Sequence, residues 1–130
     1  ISKIKKGRLK KIMVFSGGGA ASSFKEFPIY SATKTALVRT IENYAVKFKK
    51  KNLNIFAIAP GAVETKMLKK VKKLAKVKSS SSLKEVFGFV EFCLKNKTDF
   101  LSGKLVHIRD KISKLKSNKD KNYLKLRRAE

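Results

Sequence analysis

Tyr30 and Lys34 stand four residues apart in the segment Tyr30-Ser31-Ala32-Thr33-Lys34. On a helix that offset puts both side chains on one face, about 5–6 Å apart at Cβ. A phenol and an ammonium so placed suit proton transfer. A free phenol, with a pKa near 10, is a poor base at neutral pH. A cation about 4 Å from a phenol, at an effective dielectric near 20, favours the phenolate by roughly 4 kcal/mol, or about three pKa units. That shift would bring the group near neutrality, where a general acid/base works best. Neither of the other two tyrosines has a lysine at that offset, where Phe48 follows Tyr44 and Arg127 follows Tyr123.

The elements around the pair read as strand, helix, strand. Ile12-Met13-Val14-Phe15 is a short apolar run closed by Ser16-Gly17-Gly18-Gly19, the pattern of a buried strand running into a tight loop, here extending to Pro28. From Tyr30 to Lys51 there is no glycine or proline, and Leu37, Ile41, Tyr44, Ala45 and Phe48 recur at helical spacing. Asn52 and Asn54 end that helix before Ile55-Phe56-Ala57-Ile58-Ala59, an apolar run bounded by Pro60-Gly61 and suited to a strand buried on both faces. Two buried strands joined by a helical crossover predict a parallel sheet covered by helices. Further on, residues 66–78 predict an amphipathic helix with Met67, Leu68, Val71, Leu74 and Ala75 on one side, interrupted by Ser79 to Ser82. A second helix is expected from Leu83 to Asn96, capped by Ser82 with Glu85 as its capping-box partner. Leu105 to Ile108 reads as a third strand after Gly103. From Lys111 the chain is a charged extension in which Ile112, Leu115, Tyr123, Leu124 and Leu126 are the residues able to pack.

In this order, IMVFSGGG, YSATK and NIFAIAPGAVET resemble the short-chain dehydrogenase/reductase family, which has a strand ending in serine and glycine, a loop, a YxxxK helix and a strand ending in Pro-Gly. The likeness runs from about Ile12 to Asp110. It implies an NAD- or NADP-dependent oxidoreductase that reduces carbonyls or oxidises alcohols, in which Tyr30 is the catalytic acid/base and Lys34 assists it and binds the nicotinamide ribose. It further implies that Pro60 and Gly61 form the turn against the nicotinamide, while Val63 and Thr65 hold the carboxamide and a nearby phosphate. From the residues alone, Pro60-Gly61 also reads as an ordinary strand-ending turn and Thr65 as a helix cap.

Two departures from the family pattern stand out. Its catalytic serine lies thirteen residues before the tyrosine, where this chain has Gly17, and Ser16 lies fourteen before. Strand alternation aims Ser16 away from the substrate. Flexible glycines at 17 to 19 offer a way to turn it back, leaving Ser16 as the candidate for orienting the oxyanion, with Ser22 and Ser23 as substitutes. The second departure is that no GxxxGxG turn, Asn-Asn-Ala-Gly segment or catalytic asparagine is present. The expected fold class is therefore α/β, the C-terminal half of a doubly wound, Rossmann-like parallel sheet. Residues 1–110 are that half and residues 111–130 the charged extension. A chain opening on Ile1 adds the expectation of a preceding segment and of a fragment inactive alone. NAD and NADP are not distinguished, because the discriminating residues lie in the part not seen.

Composition narrows the classes further. A chain of 130 residues with 42% hydrophobic content suits one globular domain. No run approaches the roughly 20 apolar residues of a membrane span, and the four-residue run at Ile12 to Phe15 is too short for an export signal. One cysteine, Cys93, excludes an intrachain disulfide and favours a reducing compartment, hence a cytoplasmic location. The net charge of +24 raises nucleic acid as a partner. Arginine, the residue best fitted to bidentate base and phosphate recognition, occurs only at positions 8, 39, 109, 127 and 128, so no specific nucleic-acid partner is expected. The rival reading is a non-enzymatic, lysine-rich remnant that binds polyanions. His107 reads as a packed or edge residue, and no metal spacing is present. The expected partners are a nicotinamide dinucleotide and a small carbonyl or alcohol, without a membrane, with self-association of the intact protein left open.

Overall fold

The structure, a computed structural model, describes residues 10–74, 77 and 80–116. Its centre is a parallel sheet of three strands in the order β1-β2-β5, with β1 at Lys10–Phe15, β2 at Leu53–Ala59 and β5 at Leu105–His107. Ile12 pairs with Ile55 and Phe15 with Ile58, while Ala57 pairs with Leu105 and Ala59 with His107. Alternate residues of a strand face opposite ways, so β2 feeds two cores. Leu53, Ile55, Ala57 and Ala59 pack with Val38, Ile41 and Phe48 of the helix side. Phe56 and Ile58 pack on the other face with Phe89, Cys93, Leu101 and Val106. Helices on both faces of a parallel sheet are the arrangement expected of a doubly wound α/β unit.

The helix between β1 and β2, α1, spans Pro28–Lys47, two residues earlier than the tyrosine and four short of Lys51. Proline fits its first turn because the missing N–H there has no intrahelical acceptor. At the far end the chain tightens into a 3-10 turn over Lys49–Lys51, and Asn52 takes the left-handed conformation at φ 51° to turn into β2. β2 begins at Leu53, so Asn54, read as a breaker, lies inside the strand and 2% exposed. Its Nδ2 donates to Thr98 Oγ1 at 2.7 Å. That partner sits far along the chain, which is why no local pattern anticipates it.

After β2, the strand β3 (Ala62–Val63) pairs in parallel with β4 (Ser80–Ser81), so the serine run is a bridge rather than a mere interruption. Between them α2 covers Lys66–Val71, shorter than the expected 66–78. Of its predicted apolar side, Leu68 is buried, whereas Met67 is 63% and Leu74 70% exposed. Ala75 and Ser79 lie outside the described residues. α3 spans Leu83–Lys95 with the anticipated capping box: Glu85 N donates to Ser82 Oγ at 3.2 Å and Ser82 N to Glu85 Oε2 at 2.7 Å. The Ser82 amide and hydroxyl, both donating to Glu85 Oε2, hold its carboxyl below the usual carboxylate range, with Arg109 adding to the effect. A last short helix, α4 at Ile112–Lys116, brings Leu115 into the core on the α3 side. Tyr123, Leu124 and Leu126 lie outside the described residues. Among the described residues no helix is long and apolar enough to cross a membrane.

Gly103 ties β5 to α1. Its φ is +75°, and a Cβ there would stand 3.1 Å from the Ala45 Cβ, while its amide donates to Ile55 O at 2.8 Å. A Gly103→Ala variant combines a left-handed backbone penalty with crowding and should lose about 1–2 kcal/mol of stability in urea unfolding.

Candidate functional site

The carboxyl ends of β1 and β2 and the first turns of α1 meet at one end of the sheet, where open α/β sheets hold their ligands. α1 follows a crossover from β1, so its amino terminus lies at that end and Tyr30 and Lys34 lie beside the strand exits. Tyr30 is half-buried, with Phe24 edge-on at 6.3 Å between ring centroids. Phe24 in turn packs edge-on against Phe27 at 5.2 Å. Lys34 Nζ lies 5.7 Å from the Tyr30 ring centroid and donates to Phe15 O at 3.4 Å. The pair thus shares one helix face, as the spacing requires, and the last residue of β1 anchors the ammonium.

Gly17 and Ser16 divide the strand end between them. A Cβ built on Gly17 would fall 2.4 Å from the Tyr30 hydroxyl and 3.4 Å from its Cζ. The phenol therefore occupies the space that any side chain at position 17 would need. Ser16 is 5% exposed, its amide donates to Ile58 O at 2.8 Å, and its hydroxyl reaches Lys34 O at 3.4 Å. The alternation of β1 thus carries on past Phe15 in extended backbone: position 17 faces the phenol and position 16 the helix backbone. The glycines do not turn the serine back towards Tyr30. Ser22 and Ser23 are exposed, and Ser22 Oγ donates to Gly18 O at 3.3 Å, closing the loop on itself. Gly19 lies under the helix start, where Ser31 Oγ donates to its carbonyl.

Pro60, Gly61, Val63 and Thr65 follow from the end of β2. Pro60 is half-buried and Gly61 exposed, with φ +76° that favours glycine at the turn. Val63 pairs with Ser81 in the short parallel bridge. Thr65 caps α2, its hydroxyl oxygen accepting from Leu68 N at 3.2 Å. Its own proton stays available, so the cap and the phosphate-side role foreseen for it are chemically compatible.

Beside this turn stands a cluster that sequence reasoning did not assign. A Cβ on Gly61 would meet Ser81 Oγ at 2.6 Å and His107 Nε2 at 3.4 Å. His107 Nδ1 accepts from Arg109 N at 3.2 Å, which leaves the proton of a neutral imidazole on Nε2, towards Gly61. Asp110 accepts from His107 N at 2.8 Å, and the Arg109 guanidinium bridges Ser80 O at 2.8 Å and Glu85 Oε1 at 3.1 Å. Residues from β4, α3 and the end of β5 thereby brace the Pro60-Gly61 turn. Four separated segments build the cluster, and none of them carries a local signal of it. A cavity of about 650 Å³ opens elsewhere, lined among others by Arg39, Glu42, Lys49 and Asn52. It lies at the amino end of β2, the wrong end of the sheet for Tyr30, and the chemistry-bearing groups decide the site rather than this hollow. Among the described residues no group of His, Cys, Asp and Glu is placed to hold a metal ion.

The sequence profile of one family, short chain dehydrogenase, matches residues 3–76. No curated relative matches the chain. Several solved structures share the fold. A short chain dehydrogenase from Salmonella enterica subsp. enterica serovar Typhi superposes with a TM-score of 0.69 at 12% identity, covering 85% of this chain and 45% of that one. Actinorhodin polyketide ketoreductase, as a variant with NADPH, gives 0.67 at 15% identity over 76% and 45%. Enoyl-[acyl-carrier-protein] reductase (NADH) from Aquifex aeolicus gives 0.60 at 22% identity over 79% and 39%. The chain thus spans less than half the length of each of these structures.

Proposed function

The chain belongs to the short chain dehydrogenase family, and we propose that it supplies the proton-transfer and nicotinamide side of an NAD(P)-dependent oxidoreductase acting on a carbonyl or its alcohol. One observation carries the reading: the Tyr30 hydroxyl lies over Gly17 at the strand end, with Lys34 held beside its ring by the Phe15 carbonyl. In the reducing direction Tyr30 gives its proton to the substrate oxygen, and in the oxidising direction takes one from the alcohol. Lys34 sets its ammonium 5.7 Å from the Tyr30 ring centroid, within reach of a ribose hydroxyl bound beside the pair. Ser16, with its hydroxyl on the Lys34 carbonyl, acts as a tie between β1 and α1, so a part for it in orienting the oxyanion runs through the placement of the pair. Pro60, Gly61, Val63 and Thr65, with the Lys34 ammonium, suit the nicotinamide end of a dinucleotide: a cation and a hydroxyl for ribose and phosphate, and an exposed turn for a flat ring to lie against. When bound, the nicotinamide supplies or accepts the hydride.

Two things support the dinucleotide, and neither distinguishes NAD from NADP. They are the family of the chain and the nicotinamide cofactors in the names of structures that share its fold. The 130 residues contain no GxxxGxG turn to take the pyrophosphate, so the chain alone should hold the cofactor from one end and weakly. Saturation-transfer NMR of NADH and NADPH on the 130-residue chain should show contact strongest at the nicotinamide and ribose protons beside it. Absorbance at the reduced nicotinamide band should report turnover once a polypeptide with the glycine-rich turn completes the site. Contact centred on the adenine, or none at all at millimolar cofactor, would count against the reading.

A further inference from the structure

Between β3 and β4 the chain leaves the Pro60-Gly61 turn, makes an excursion and returns to the same turn. Both ends of the excursion are anchored at the site end of the sheet. No acidic residue occurs between Glu64 and Glu85, whereas lysine stands at 66, 69, 70, 72, 73, 76, 78 and 84. The two flanking carboxylates are already engaged. Glu64 Oε1 is 2.6 Å from Lys72 Nζ, and Glu85 is held by Ser82 and Arg109. Lys66, Lys69, Lys70 and Lys73 are exposed. On the same segment Leu68 is buried, while Met67 and half-buried Val71, four residues apart on α2, share one side of that helix, and Leu74, in the turn beyond its end, is exposed. The segment that leaves the Pro60-Gly61 turn thus carries apolar side chains set among cations.

Resting on the oxidoreductase reading, we infer that the substrate is a carbonyl compound with an apolar stem joined to a phosphate-bearing tail, and that the lysines of residues 66–73 select it by that tail. An apolar strip lies against the stem, the ammonium groups meet the phosphates in charge-assisted hydrogen bonds, and the carbonyl reaches Tyr30. Lysine suits this use because it acts as a point charge on a flexible stem and tolerates tails that differ in geometry. General basicity is the competing explanation, and it differs in one respect: it treats all exposed lysines alike. Phosphates of the dinucleotide are the other anions within the same chemistry, and the test separates the two sources.

The probe is coenzyme A, titrated calorimetrically into the 130-residue chain at about 0.05 M salt, where exposed charges are little screened. Three proteins are compared: wild type, Lys69→Glu/Lys70→Glu/Lys73→Glu, and Lys49→Glu/Lys50→Glu/Lys97→Glu. The last makes the same charge change at exposed positions outside the excursion, two of them at the opposite end of the sheet. The first triple variant should weaken coenzyme A binding at least about tenfold and the second less than about twofold, and the difference should shrink as salt rises. Equal losses in the two variants, or no binding by wild type, would overturn the inference. So would a loss confined to NADH and NADPH in the first variant, which would assign the lysines to the cofactor. Turnover is then compared in the completed enzyme with acetoacetyl-coenzyme A and the uncharged N-acetylcysteamine thioester of the same acid. A clear preference for the charged thioester, abolished by the first triple variant, is the expected result. Equal rates defeat the tail selection and leave the oxidoreductase standing. No reduction of either, with coenzyme A binding still dependent on residues 69, 70 and 73, defeats the oxidoreductase and leaves the anion site standing.

Discussion

Tyr30→Phe should lower kcat by about 10²–10⁴ in the completed enzyme while leaving dinucleotide affinity within about twofold. The variant removes one oxygen atom and keeps the ring that packs edge-on against Phe24. Structure is therefore preserved while the proton path is lost. Gly17 provides an internal check on the assignment. A methyl group there would stand 2.4 Å from the hydroxyl, so Gly17→Ala must push the phenol from its place. In a wild-type background that displacement should cost much of the activity. In a Tyr30→Phe background the nearest remaining ring atom is Cζ at 3.4 Å, and the same methyl should cost little more. The two substitutions should thus be far from additive, as expected of groups acting through one contact. Additive losses, or a Tyr30→Phe enzyme that keeps most of its rate, would remove Tyr30 from the chemistry.

Much of the frame was legible because it follows from local pattern. The apolar run at Ile55 to Ala59 is too short for a helix and has no polar face, which predicts a central strand, and β2 is buried throughout. Ser82 and Glu85 bear the spacing of a capping box and form one. The four-residue offset of Tyr30 and Lys34 alone puts both on one helix face. What local pattern lacks is the origin of partners from afar. Asn54 reads as a breaker until Thr98, forty-four residues on, supplies its hydrogen bond. Ser80 and Ser81 read as an interruption until Ala62 and Val63 pair with them. Leu68 and Met67 share a predicted apolar side, and only docking on the body of the protein decides that the first is buried and the second is not. At position 16 the sequence sets strand alternation against glycine flexibility. In the structure alternation wins, because Ser16 is still within the ladder through its amide bond to Ile58 and the glycines begin one residue too late to redirect it.

Phe56→Ala should leave the protein largely unfolded at low ionic strength and partly restored by salt. Phe56 is fully buried on β2, packed among Ile58, Phe89, Cys93, Leu101 and Val106, and truncating such a side chain costs about 3–5 kcal/mol. A domain of this size holds about 5–15 kcal/mol at best. Two features place this chain low in that range. The outer edge of β1 has no strand beside it among the described residues, and Phe15 at that edge is 48% exposed. Net charge of +24 also makes the compact state repel itself. Raising salt from about 0.02 to 0.5 M shortens the Debye length several-fold and weakens that repulsion, so stability should rise with salt in wild type and variant alike. Cys93 gives a direct readout of the transition. Its thiol is fully buried in the same cluster as Phe56, and burial pushes its pKa up, with Lys11 opposing, so in the folded chain it is doubly protected from thiol reagents. The wild-type thiol should react slowly at about 0.5 M salt, and the Phe56→Ala thiol at nearly the rate of a free peptide at about 0.02 M salt. Slow labelling of Phe56→Ala at low salt would show that the core on the α3 side is not what holds this sheet together.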